Sequence, residues 1–213
     1  MLIASYNQAG MGDNLVIMTN PSSRSDKIET KHNITKITNA DGALVGINLL
    51  EASTVLDLTG QTGQVSLTAA QVAKINTAIQ TAGFAEQLES DETPKLVVGY
   101  VESVSPHPDS DHLQITTTRV STDETVQIVS GSPNMQADIL VVVAKVGAMM
   151  PSGLVIWPGA LRGVASNGMI TSGRELNLPN APQVPGALIL PADFAPIGTP
   201  FDPTTPAAQA LFA

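Results

Sequence analysis

The chain has 213 residues, 43% apolar and 14% charged, with no cysteine; that predicts globular domains with a real core and excludes disulfides, thiolate metal sites and a cysteine nucleophile. Its formal charge is −9, with five Lys/Arg against ten Asp/Glu in residues 1–94 and five against nine in residues 95–213. Such acidity argues against tight, indiscriminate binding of a polyanion, which rests on many cations, and leaves room for a local, shape-directed contact.

The start, MLIASYNQAG, lacks a basic n-region and reads as no signal peptide. The longest apolar run, Ile139 to Met150, is broken by Lys145 and too short to span a bilayer. A cytoplasmic chain without membrane contact is therefore expected. In chain order, LIASY and NLVIM flank QAGMGD and predict a hairpin, and the polar run Thr19 to Lys31 predicts a loop. HNITKI and ALVGINLL flank TNADG, a second hairpin signal with Asp41-Gly42 in the turn. A helix is predicted over Ala69–Ala82: Thr68 and Gln71 form a capping box, Leu67 and Val72 a hydrophobic staple, and Gly83 a stop. Val72, Ile75, Ile79 and Ala82 give it one apolar stripe. Residues 1–90 thus read as a small α+β domain without a catalytic constellation, and 91–95, inside the charged run EQLESDETPK, as a linker.

Residues 96–213 read as a second, all-β domain. Strands are predicted at Leu96–Val104, Leu113–Val120, Thr125–Ser130, Ile139–Val146 and Gly168–Ser172, punctuated by Gly, Pro and Asp. Five short strands with little helix suggest a small Greek-key barrel of OB type. The Pro- and Ala-rich tail, Pro191 to Ala213, is expected to wrap this barrel or fray.

Several polar positions stand out in this half. His107 to His112, HPDSDH, holds two His and two Asp in six residues; consecutive turn residues seldom converge on one ion, so a strand-linking turn with Asx bonds is preferred to a metal site. Asn134 in GSPN reads equally as a contact to a base or ribose and as a turn brace. Lys145, in an apolar strand, must reach solvent or a phosphate. Leu161 to Leu178, LRGVASNGMITSGRELNL, is too polar and too broken for a core helix. Arg162 suits a phosphate or a base face, Ser166 and Ser172 suit ribose or backbone oxygens, and Met169 suits an exposed base. From the residues alone, a bulged strand with Arg162 bonded internally to Glu175 or a carbonyl fits as well. No nucleophile–base set, P-loop or dinucleotide fingerprint is present.

Four stretches carry a resemblance: VVGYVESVSPHPDSDHL at 97–113, IVSGSPNM at 128–135, VAKVGAMMPSGLVI at 143–156, and LRGVASNGM followed by TSGRELNL at 161–178. In that order they resemble the tRNA-binding OB domain of bacterial phenylalanyl-tRNA synthetase β subunits, of many methionyl-tRNA synthetases and of small stand-alone tRNA-binding proteins. The whole chain resembles the YtpR-type proteins of Gram-positive bacteria, which join a small domain of uncharacterised role to this OB domain. The resemblance implies non-catalytic tRNA binding by an OB fold, without cofactor or metal. It implies a contact face of Asn134, Arg162, Ser166, Met169 and Ser172, to which Lys145 and Arg174 add positive charge as further tRNA-binding candidates. The implied partners are tRNA, an aminoacyl-tRNA synthetase and a second copy of the chain. Where relatives often carry lysines, this chain has Trp157-Pro158-Gly159-Ala160, and Trp157 offers a stacking surface instead. The competing expectation is a protein-binding or dimerisation module with a vestigial RNA surface.

Overall fold

The computed structural model describes residues 1–213, which separate into two compact units, Met1–Thr93 and Pro94–Ala213. The first is built on one antiparallel sheet. Its strands are β1 (Ile3–Tyr6), β2 (Asn14–Met18), β3 (Lys27–Lys31), β4 (Ile34–Thr38), β5 (Leu44–Leu50) and β6 (Gly63–Val65), in the spatial order β3-β4-β5-β2-β1-β6. A short helix, α1 (Gln8–Met11), occupies the turn between β1 and β2.

Alternation decides which face is covered. Leu15 and Ile17 of β2, Ile34 of β4, and Ile47 and Leu49 of β5 are fully buried, and they share one cluster with Val72, Ile75 and Ile79 of α2 (Ala69–Thr81). The start of α2 is local chemistry. Gln71 N–H donates to Thr68 Oγ1 at 3.3 Å and Thr68 N–H to Gln71 Oε1 at 2.9 Å, while Leu67 and Val72 are both buried. After α2 the chain stays bound to this unit. Asn76 donates to the Leu88 carbonyl at 2.9 Å and accepts from Leu88 N–H at 2.8 Å, and Glu92 accepts from Ala69 N–H.

One expectation fails here: the run predicted as a loop over Thr19–Lys31 ends in strand β3. All five residues of β3 are exposed, so no burial pattern betrays the strand. Its ladder with β4 and the surrounding charge hold it instead. Lys31 and Lys36 both pair with Glu29, at 2.9 and 3.5 Å, and both ammonium groups lie over the Phe84 ring. Lysines on an outer strand also hinder edge-to-edge association.

The second unit has a sheet of β7 (Leu96–Pro106), β8 (Gln114–Arg119), β9 (Thr125–Ser130), β10 (Ile139–Lys145) and β13 (Gly168–Ile170), ordered β13-β10-β7-β8-β9. A two-residue strand, β14 (Ile189–Leu190), pairs with β10, and β11 (Gly159–Leu161) and β12 (Val164–Ser166) form a separate hairpin. The sequence predicts a barrel, but the main sheet is open: β13 and β9 are not joined by a regular ladder. Three single bonds span that gap. Asn167 N–H donates to the Gln127 carbonyl at 2.9 Å, Gln127 Nε2 to the Ala165 carbonyl at 2.7 Å, and Val129 N–H to Ser166 Oγ at 3.1 Å.

The tail packs rather than frays. Phe201 N–H donates to the Leu96 carbonyl and Val98 N–H to the Thr199 carbonyl, each at 2.9 Å. Phe201 and Ala208, the latter in α3 (Pro206–Gln209), are buried with Val98, Val142 and Leu176. Gly173 makes room for this tail, since a Cβ there would lie 2.4 Å from the Phe212 ring.

Candidate nucleic-acid interface

The hairpin of β11 and β12 turns at Arg162-Gly163, between the paired residues Leu161 and Val164. Both turn residues have positive φ, 45° and 83°, as a two-residue turn of the primed type requires. Glycine takes that conformation freely; arginine does so at a cost. The cost is met by an exposed cation held in place, for Arg162 Nη1 donates to the Asp109 carbonyl at 2.7 Å. That bond uses one of five guanidinium donors, and the residue is exposed. Trp157, half-buried, lies just ahead of β11.

Asp109 belongs to the turn between β7 and β8. The predicted turn is there, and its bonds are local: Ser110 Oγ accepts from Leu113 N–H, and Asp111 Oδ1 lies 2.9 Å from His112 Nδ1. The His112 contact, with smaller help from the nearby Arg162 charge, holds the Asp111 carboxyl below its ordinary range. The histidines and carboxylates of this turn form no cluster able to hold a metal ion.

Six of the seven site residues expected from the sequence fall in two places. Arg162, Ser166, Met169 and Lys145 follow one course along the hairpin, β13 and the end of β10, where Lys145 pairs with Gly168 in the ladder. Asn134 and Ser172 line a separate cleft of about 290 Å³, together with Pro182, Val184 and Phe212. Arg174 is exposed on the turn that follows Ser172 and forms no ion pair.

Several of these side chains make bonds within the fold. Ser166 is 5% exposed, and its hydroxyl accepts from Val129 N–H and donates to the Gly168 carbonyl. Ser172 is 7% exposed and donates to Glu175 Oε2 at 2.7 Å, so Glu175 engages this serine rather than Arg162. Asn134 donates to the Ala187 carbonyl at 2.9 Å and accepts from Ala187 N–H at 2.8 Å; it braces a segment instead of presenting its amide. Met169 packs, partly buried, against the cluster containing Val142 and Leu176. Lys145 reaches the Glu124 carboxylate. The sequence signal is slight for Ser166, Asn134 and Lys145, whose partners Val129, Ala187 and Glu124 lie on other segments; the Ser172–Glu175 pair, three residues apart, is local.

Arg119 is a cation that the motif reading did not select. It stands opposite Tyr100 in the β7–β8 ladder, stacks 5.4 Å from that ring, and pairs with Glu102 at 3.1 Å. Its position in a strand of threonines gave no signal. A hollow of about 890 Å³ in the first unit is lined by Tyr6, Gln8, Ser53, Asp57, Thr59 and Gln61 among others, with no cation. No helix is long and apolar enough to cross a membrane.

Residues 96–199 match a family model described as "Putative tRNA binding domain", and residues 21–91 match one described as "Domain of unknown function (DUF4479)". Phenylalanine–tRNA ligase beta subunits are similar over about half of this chain: that of Neisseria meningitidis is 48% identical over 49% of this chain but only 13% of the subunit. That of Idiomarina loihiensis is 47% identical over 51% of this chain and 13% of the subunit. A Bacillus subtilis protein named "Putative tRNA-binding protein YtpR" is 44% identical over 193 residues, 90% of this chain and 95% of its own length. With such identity across nearly the whole of both chains, this protein belongs to the YtpR family.

Proposed function

We propose that the chain binds tRNA without catalysing a reaction on it, through residues 96–213, with the hairpin tip at Arg162 as the leading contact. The observation that carries this reading is the exposed Arg162 in a left-handed backbone conformation that glycine or asparagine would adopt more cheaply. The match of residues 96–199 to the tRNA-binding family model supports the choice of ligand. We read the open sheet, with β12 bonded along β9, as an OB-type barrel, residues 1–90 as a separate α+β domain, and 91–95 as the linker. A cytoplasmic location fits this reading, as does assistance to an aminoacyl-tRNA synthetase. Arg174 and, once freed from Glu124, Lys145 are the accompanying cations. Ser166, Ser172, Asn134 and Met169 shape the surface from beneath.

A second reading, a protein-binding or self-associating module, is favoured by two observations. Arg119 and Lys145 are already paired with carboxylates, and Leu154, Leu161 and Val184 are 54%, 42% and 63% exposed. Titrating the purified chain with total tRNA and with duplex DNA of similar length, at two salt concentrations, separates the two. Salt-dependent binding that prefers tRNA supports the first; no tRNA binding at low salt, with a dimer in sedimentation, supports the second.

A further inference from the structure

We propose that His107 is a positioning residue for Arg162, tying the β7–β8 turn to the hairpin tip so that the guanidinium is presented in one place. The proposal rests on the reading of that tip as an RNA contact. His107 is 3% exposed, at the first position after β7. Its two ring nitrogens have different partners. Asp109 N–H donates to Nδ1 at 3.0 Å, and Nε2 lies 3.1 Å from the Leu161 carbonyl. An amide N–H only donates and a carbonyl only accepts, so the ring is neutral with its proton on Nε2. One nitrogen thus shapes its own turn. The other crosses to the residue immediately before Arg162.

The bond from Arg162 Nη1 to the Asp109 carbonyl runs between the same two segments in the opposite direction. Asp109 therefore gives its N–H to His107 and takes a bond from Arg162, while Leu161 takes a bond from His107. Each donor–acceptor pair fixes a place at which the next one forms. A two-residue hairpin by itself is marginal, and this one has a left-handed arginine at its tip. The buried imidazole offsets both weaknesses and defines where the four remaining guanidinium donors point. A side chain that acts in this way touches no ligand.

The two functions of the ring can be separated. An asparagine places its amide near the site of Nδ1 and keeps the turn but loses the tie to Leu161. A glutamine places its amide near Nε2 and keeps the tie but loses the turn acceptor. The experiment measures tRNA affinity against salt for wild type, His107→Asn, His107→Gln, Arg162→Ala and the double variant His107→Asn with Arg162→Ala. Amide hydrogen exchange at residues 159–166 and thermal unfolding are followed for each.

The expected result is that His107→Asn weakens tRNA binding by roughly fivefold to tenfold and lowers the salt slope by about one contact, as loss of a single phosphate contact does. Exchange in the hairpin speeds up, His107→Gln retains most of the affinity, and the double variant binds no worse than Arg162→Ala. Losses from His107→Asn and Arg162→Ala that simply add, or His107→Asn binding like wild type, overturn the proposal while leaving tRNA binding in place. A wild-type chain that binds no tRNA overturns the RNA reading first, and unchanged hairpin exchange in His107→Asn then overturns the tie itself.

Discussion

The Lys145 ammonium rests on the Glu124 carboxylate, with Lys145 at the end of β10 and Glu124 in the turn between β8 and β9. The lysine side chain is 20% exposed and the glutamate 48%. On the proposed reading a phosphate replaces this carboxylate on Lys145, and removing the carboxylate should uncover the cation. Glu124→Gln is expected to tighten tRNA binding at low salt and raise the salt slope by about one contact. Stability should change by less than about 1 kcal/mol, because an exposed pair contributes little. A titration at several salt concentrations checks this; equal slopes for variant and wild type would place Lys145 off the RNA path.

Arg162→Asn should separate binding from stability. Asparagine tolerates the left-handed conformation that arginine holds at a cost, and it gives up only an exposed bond to the Asp109 carbonyl. The variant is expected to unfold within about 0.5 kcal/mol of wild type while losing roughly fivefold to tenfold in tRNA affinity. Parallel urea unfolding and RNA titration test it; an intact affinity removes Arg162 from the contact.

Asn134→Ala should act on stability first. Ala187 is buried, and both of its backbone polar groups depend on the Asn134 amide. Leaving them without partners costs about 1–3 kcal/mol, measurable as a lower urea midpoint with unchanged slope. A loss of tRNA binding with no loss of stability would instead make Asn134 a direct contact.

In the first unit, Asp13 links stability to pH. Hydrogen bonds from the Ser53 hydroxyl and backbone N–H, and from the Tyr6 phenol, hold its carboxyl below the ordinary range against the opposing effect of burial. The same site pushes the Tyr6 phenol up, chiefly by burial and then through Asp13. A carboxyl lowered by folding stabilises fully above its unfolded value and loses that contribution as pH falls through the folded one. Asp13→Asn should therefore be less stable than wild type at neutral pH and converge with it in acid. Parallel urea midpoints across the whole range would contradict this.

Local order determined the elements whose reasons are local. The capping box at Thr68 and Gln71 and the apolar stripe through Val72, Ile75 and Ile79 mark α2 within a residue of its observed end. The alternating or continuous apolar runs at 96–104, 125–130 and 139–146 mark β7, β9 and β10, each within two residues of its observed ends. The order of motifs at 97–178 pointed to the family found by comparison. Strand β3 escaped because an outer strand with no buried residue carries no hydrophobic period. The hairpin of β11 and β12 escaped because its turn uses arginine where such turns usually take asparagine or glycine.

Three of the polar side chains were decided by tertiary structure alone. Ser166 finds Val129, Asn134 finds Ala187 and His107 finds Leu161, at separations of 37, 53 and 54 residues. A hydroxyl or amide has the same chemistry whether it faces a ribose or a distant backbone group. Sequence shows that a donor exists; the packing of strands remote in the chain selects its acceptor. That selection leaves Arg162 and Arg174 exposed and turns Ser166, between them in the chain, inward.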